Sequence, residues 1–381
     1  MPDDGVLLHS TPHATWAWVG LRLAPAQGLA AHRGYLDVPE KQRRTEAVHA
    51  ELDWLQRQFR PGEHTRLDLR YLADPGSQLL RCVLLGQVAA PTPAAARAAG
   101  SALRERLGAL PAHLAARPIT DPAELLAALR PVPAAGQAVE LRPPLTAVPL
   151  LRPDSDRSHA VLAGALRPGA ESWEPVWSAL AALTAPTVLS VALEPVRLEP
   201  VELGELARYA AEYRRLASPG QTAAPWGRVF PGDPAAGPAA AALEGALAGF
   251  AGPLFRLRAT LLGGDGGVLA PAGLLAGIAG AAVLPVVPGE AGIVAANLAG
   301  LNLDPLPVTH QQGLAPGHYG WVEQTVSSLA TPAQAGALLR LPYQVPGHRL
   351  LFDDRFPAGG VTDAVPGAAR PAGPEPHLPA F

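Results

Sequence analysis

The sequence predicts an α+β protein built from two tandem ferredoxin-like sandwiches, the second carrying helical insertions, with a flexible C-terminal tail. Three observations lead there. Segments that alternate apolar and polar residues are interleaved with segments of helical spacing, in the order strand, helix, strand, strand, helix, strand. The second half repeats that order with additions. A strand, a Gly-containing turn and an Ala-rich helix recur, as LLRCVLLGQVAAPTPAAARAAGSAL at 79–103 and FRLRATLLGGDGGVLAPAGLLAGIAG at 255–280. At 381 residues the chain also exceeds what one hydrophobic core usually spans.

In the first half, a strand is expected over 15–23, with Ala17, Val19, Leu21 and Leu23 on one face and Trp16 and Trp18 on the other. A helix over 39–59 follows, opened by Pro39, with Val48, Leu52, Leu55 and Phe59 at helical spacing. Strand 65–71 alternates Leu67, Leu69 and Tyr71 with Arg66, Asp68 and Arg70. A turn at 73–76 leads into strand 79–88. Thr92-Pro93 reads as an N-cap and first helical residue of a helix running to about 110, before a short strand at 115–119. Residues 120–148 hold a short helix at 121–129 and then Pro131, Pro133, Pro143 and Pro144. This proline-rich stretch reads as a hinge, giving domains at 1–130 and 151–354, a linker at 131–150 and a Pro/Gly-rich tail at 355–381.

In the second half, strands are expected at 159–166, 187–193, 254–262 and 283–287. Helices are expected at 173–183, 201–216, 239–250 and 271–281. Along strand 254–262, Phe255, Leu257, Ala259 and Leu261 face one way and Arg256, Arg258 and Thr260 the other.

Composition limits the function classes. Hydrophobic residues make up 48% and charged residues 17%, which suits a packed core and not a disordered chain. A net charge of −3 supplies no general attraction for nucleic acid. Lys41 is the sole lysine, so positive charge is almost all arginine, as either guanidinium recognition or a GC-rich coding bias would produce. Cys82, the sole cysteine, lies in an apolar run and reads as a buried thiol. The N-terminus lacks a signal pattern, and the apolar stretch 268–287 is broken by prolines and glycines into helix and strand, so no membrane span and a cytoplasmic location are expected.

No sequence pattern points to catalysis, a cofactor or a metal. GlyGlyAspGlyGly at 263–267 lacks the lysine of a phosphate loop. His49 and Asp53 share a helix face without a third group; Asp154/Asp156 and Asp353/Asp354 are close acids without further ligands; His310 and His318 flank a loop. Arg66, Arg70, Arg256 and Arg258 line the second faces of two strands, and form a candidate interaction surface. Those faces would bind phosphates if open, though they lack the stacking aromatics of an RNA-reading sheet. An enzyme or ligand-binding protein with a site between the halves, where His310, His318 or Asp353 meet arginines, is a second reading. A self-assembling structural protein is a third.

The segment VEQTVSSLATPAQAGALLRLP at 322–342, with LFRLRATLL at 254–262 and ANLAGLNL at 296–303, resembles the non-motor N-terminal region of conjugation-type and HerA/FtsK-like DNA-pumping ATPases. In that family a threonine, a small helix and a Leu-x-Leu-Pro string precede the motor. Leu339, Leu341 and Pro342 are the sharpest matches and join the candidate interaction surface. The likeness spans about 150–345. Where the family continues into a phosphate-binding loop, this sequence runs into its Pro/Gly tail, so no nucleotide-binding residue is carried over. The resemblance implies a non-catalytic assembly partner docking to a separately encoded phosphate-loop ATPase, able to form homo-oligomers and touching nucleic acid only indirectly.

Overall fold

The computed structural model describes residues 4–26, 38–132, 136–221, 227, 229–264, 266–308, 320–345 and 348–353. The chain is a mixed α+β fold with a mostly antiparallel sheet. The first half contributes β1 (Leu7–Ser10), β2 (Thr15–Pro25), α1 (Glu40–Arg57), β3 (Thr65–Ala73), β4 (Leu80–Ala90), α2 (Pro93–Gly108), β5 (Leu114–Pro118) and α3 (Pro122–Leu129). Thr92 accepts from the Ala95 amide at 3.2 Å with Pro93 in the first turn, as the sequence predicts for α2. Next come β6 (Gln137–Arg142), β7 (Leu145–Pro149), β8 (His159–Ala163), α4 (Glu174–Ala181), β9 (Thr187–Val196), α5 (Pro200–Ala217), β10 (Gly220–Gln221), β11 (Val229–Phe230) and α6 (Ala236–Phe250). The chain then forms β12 (Leu254–Gly263), α7 (Leu269–Ala279), β13 (Ala282–Pro285), α8 (Ala291–Gly300), α9 (Trp321–Ser328), β14 (Leu329–Ala330) and α10 (Pro332–Leu338).

The halves do not carry separate sheets. The strands run β1-β2-β4-β3-β9-β12-β6-β13 in one sheet, with β5 also on β2 and β14 on β12. The first half reads β5-β2-β4-β3 and the second β13-β6-β12-β9, so the two orders mirror each other about the β3–β9 seam. That seam is a seven-residue antiparallel ladder, from Leu67 opposite Leu193 to Ala73 opposite Thr187. The two echoing strings fall on β4–α2 and β12–α7, the same station in each half.

Two expectations change here. The stretch 131–150, expected as a linker, contains β6, an interior strand between β12 and β13. The strand expected at 159–166 lies instead outside the main sheet, as β8 paired with β7. The surrounding prolines conceal β6 in the sequence. Val139 and Leu141 face one core, but Glu140, between them, is buried on the opposite face and paired with Arg142 at 2.7 Å.

Both faces of the sheet are covered. On the first, Leu69, Tyr71, Leu84, Val191, Phe255 and Leu261 pack in one core with Trp54 of α1, Leu103 of α2, Trp177 of α4, Leu275 of α7 and Leu338 of α10. On the second, Leu85, Val188 and Leu262 pack with Leu125 and Leu129 of α3 and with Val294 and Leu298 of α8. A third core joins α5, α6 and α9. The α5 end is pinned by Arg152, whose guanidinium donates to the Leu216 and Ser218 carbonyls; a Cβ on Gly220 would stand 1.9 Å from Nη2, so a larger residue there would displace the guanidinium. Hydrogen bonds from Arg152 and Arg215 hold Asp154 well below the usual carboxylate range. Among the described residues no helix is long and apolar enough to cross a membrane.

Candidate interaction surface

The four arginines expected on an open face lie in a polar stripe across the middle of the sheet, beneath α3 and α8. Register explains the stripe. Asp68 stands opposite Ala192 and Arg70 opposite Ser190, and the Arg66 side chain reaches Glu194; Arg256 is opposite Glu194, Arg258 opposite Ala192 and Thr260 opposite Ser190. All therefore share one face.

Arg70 is wholly buried, and each of its guanidinium nitrogens is bonded. Its guanidinium meets Asp68 at 2.8 Å and donates to the carbonyls of Ala128 at 2.7 Å and Leu129 at 2.9 Å, and to that of Leu298. The second Asp68 oxygen accepts from Ser190 Oγ at 2.7 Å. Arg70 thus clips the C-terminal ends of α3 and α8 together, where carbonyls lack helical partners and the helix dipoles favour a cation. Arg258 is 5% exposed and donates to the Asp304 carbonyl at 3.2 Å. Burial pulls its pKa below the ordinary value, while the Glu140 and Asp68 carboxylates oppose the shift. Arg66 is half-buried, bonded to Glu194 at 3.3 Å and Asn302 Oδ1 at 3.0 Å, and lies over the Trp16 ring. Arg256 alone of the four is exposed, paired with Glu194 at 3.0 Å. The surface expected from Arg66, Arg70 and Arg258 is therefore an internal frame. The reason is that α8, almost without charge, covers a face that the strands alone make look solvated.

Leu339, Leu341 and Pro342 are likewise buried. They begin a strap, 339–345 and 348–353, that crosses from the second half onto the first. Arg340 pairs with Glu51 of α1 at 3.3 Å and donates to the Gly169 carbonyl at 2.8 Å, and its own carbonyl accepts from the Tyr71 hydroxyl. Farther on, the Leu80 amide donates to Leu351 O at 2.7 Å and the Asp353 amide to Leu80 O at 2.9 Å. The Phe352 ring packs edge-on to Trp177 at 5.0 Å and beside Tyr71 at 6.1 Å. The Leu-x-Leu-Pro string is core and seat of this strap, not an exposed patch.

The other polar candidates do not converge. His49 and Asp53 are exposed on α1. Cys82 is buried, as its apolar run predicts. His310, His318 and Asp354 lie outside the described residues. Among the described residues no group of three His, Cys, Asp or Glu could hold a metal ion.

Sequence reasoning missed a groove along α6. Its floor is the small-residue face of α6, with Ala241, Ala242, Gly245, Ala246 and Gly249. Val326, Leu329, Thr331 and Gln334 of the α9–β14–α10 segment form one wall, and the cavity measures about 330 Å3. The signal in the sequence is the AAALEGALAGF string, rich in small residues along a helix. No model of a known protein family matches the chain, and no curated protein matches it.

Proposed function

We propose that the chain is a non-catalytic docking module, two ferredoxin-like sandwiches fused through one sheet, that assembles with a separately encoded phosphate-loop ATPase of the DNA-translocating kind. One observation carries this reading. The segment that resembles the family, 322–342, supplies the wall of the α6 groove through Val326, Leu329, Thr331 and Gln334. The other two resembling segments are linked to it through β12. β14 pairs with β12, and Arg258 of β12 bonds to the carbonyl of Asp304, just beyond 296–303. The groove is lined without formal charge, which suits apolar side chains of a protein partner better than a phosphate or a nucleic-acid backbone.

Gly245 gives a clean test. It is exposed on α6 and a Cβ there meets nothing within 4 Å. Gly245→Trp should fill the groove without disturbing the fold, and a non-Gly residue inside a helix adds up to about 1 kcal/mol of helix stability. The wild-type chain should bind a phosphate-loop ATPase of the DNA-translocating kind from the same genome in calorimetric titration. The variant should bind at least about tenfold more weakly, a loss of about 1.4 kcal/mol, with an undiminished melting temperature. Equal binding by both proteins would remove the groove from the interface; no binding by the wild-type chain would remove the proposal.

A further inference from the structure

The helix α7 is apolar on every side. Ala272, Leu275, Ala276 and Ala279 face the first core, while Leu269, Ala270, Gly273, Leu274 and Gly277 are exposed on the opposite stripe. Leu269 is 47% exposed and Leu274 43%. From Gly266 to Gly289 no residue has a polar side chain. α4, which packs against α7, exposes Pro175, Ser178 and Ala182, also without charge. The mirrored half supplies a control. α2 stands at the same station as α7 and buries Ala96, Gly100, Leu103 and Leu107, but the rest of it includes Arg97, Ser101, Arg104, Glu105 and Arg106. The station itself therefore does not call for an apolar exterior. A helix that is hydrophobic all round is one that is buried all round, so the outer stripe of α7 needs a cover.

Charge and backbone identify that cover. Nucleic acid and anionic membrane surfaces are held through cationic groups, and selective protein partners are steered by complementary charge; this stripe offers neither. Homodimer interfaces are the more apolar class. Across a two-fold axis the same patch meets itself, and an uncharged patch does so without like-charge repulsion. The backbone is self-complementary as well. β13 follows α7 and ends the sheet. The Val286 amide donates inward to Ala138 O at 2.9 Å, so alternation turns the Val283 amide and carbonyl outward. One donor and one acceptor on an edge residue match those of a second copy running antiparallel.

We propose that the outer stripe of α7 and the β13 edge form a two-fold contact between copies of this chain, separate from the α6 groove. In sedimentation equilibrium the full chain should show twice the mass of one chain. Gly273→Glu places a carboxylate on the stripe at a position where a Cβ meets nothing within 4 Å. It should yield monomers with an unchanged circular dichroism spectrum, and Leu274→Glu, at an exposed site, should do the same. Gly245→Trp should leave the dimer intact, so that failure here is distinguishable from failure of the groove reading. A wild-type chain that stays monomeric at every concentration would overturn the proposal, and its capture by neutral lipid vesicles would assign the stripe to a membrane instead. Dimers that survive both glutamate substitutions would also overturn it, by placing the contact elsewhere.

Discussion

Arg70→Met is expected to cost about 3–5 kcal/mol of folding stability, because removing one member of a buried ion pair leaves the other uncompensated. The residue is wholly buried, and its loss leaves the Asp68 charge uncompensated and takes a donor from the carbonyls of Ala128, Leu129 and Leu298. Those carbonyls close two helices that cover the second face of the sheet, so the damage should spread from the stripe to α3 and α8. Urea denaturation measures it as a lower midpoint. Adding Asp68→Leu removes the orphaned charge and should restore part of the loss, although Ser190 then loses its acceptor. If the stripe were a ligand surface, Arg70→Met would instead change stability by less than about 0.5 kcal/mol, as solvated surface substitutions do.

The second large effect is at the strap. Leu341 is 0% exposed within the first-face core. Leu341→Ala is expected to lower stability by about 2–5 kcal/mol, the range for truncating a buried leucine. Thermal or urea unfolding reads this directly. The resemblance placed Leu341 on an interaction surface, which predicts the reverse pattern of weaker partner binding with an unchanged midpoint. The two outcomes are distinguishable on the same protein sample. Buried Leu339 and Leu338 flank the same core, so single truncations along the strap should each cost a similar amount.

Much of the fold was legible in the sequence because it follows local patterns. β3 was plain from its period of two, and α2 from Thr92 and Pro93 at its start. What was not legible depends on partners distant in sequence. β6 was hidden because it is six residues long and set among Pro131, Pro133, Pro143 and Pro144, which read as a linker, and only burial against Arg142 explains the Glu140 carboxylate there. Nothing local announces that β3 and β9, separated by more than a hundred residues, are sheet neighbours. A strand that alternates leucine with arginine gives the same pattern whether its polar face meets water or the ends of two helices. The groove and the strap were illegible for a similar reason. Small residues on α6 mark a helix in any setting, and the seat of Arg340 is Glu51, far back along the chain.

The claim that the arginine stripe is internal frame and not a ligand surface can be tested without altering the protein. Native chain is treated with an arginine-specific dicarbonyl reagent, and modification is followed by mass spectrometry of peptides. Arg256, 48% exposed at its side chain, should react readily, whereas Arg70 and Arg258, at 0% and 5%, should stay protected until the chain unfolds. Modification of Arg70 and Arg258 at the rate of Arg256 under native conditions would contradict it, and would return the second face of the sheet to the list of surfaces open to a ligand.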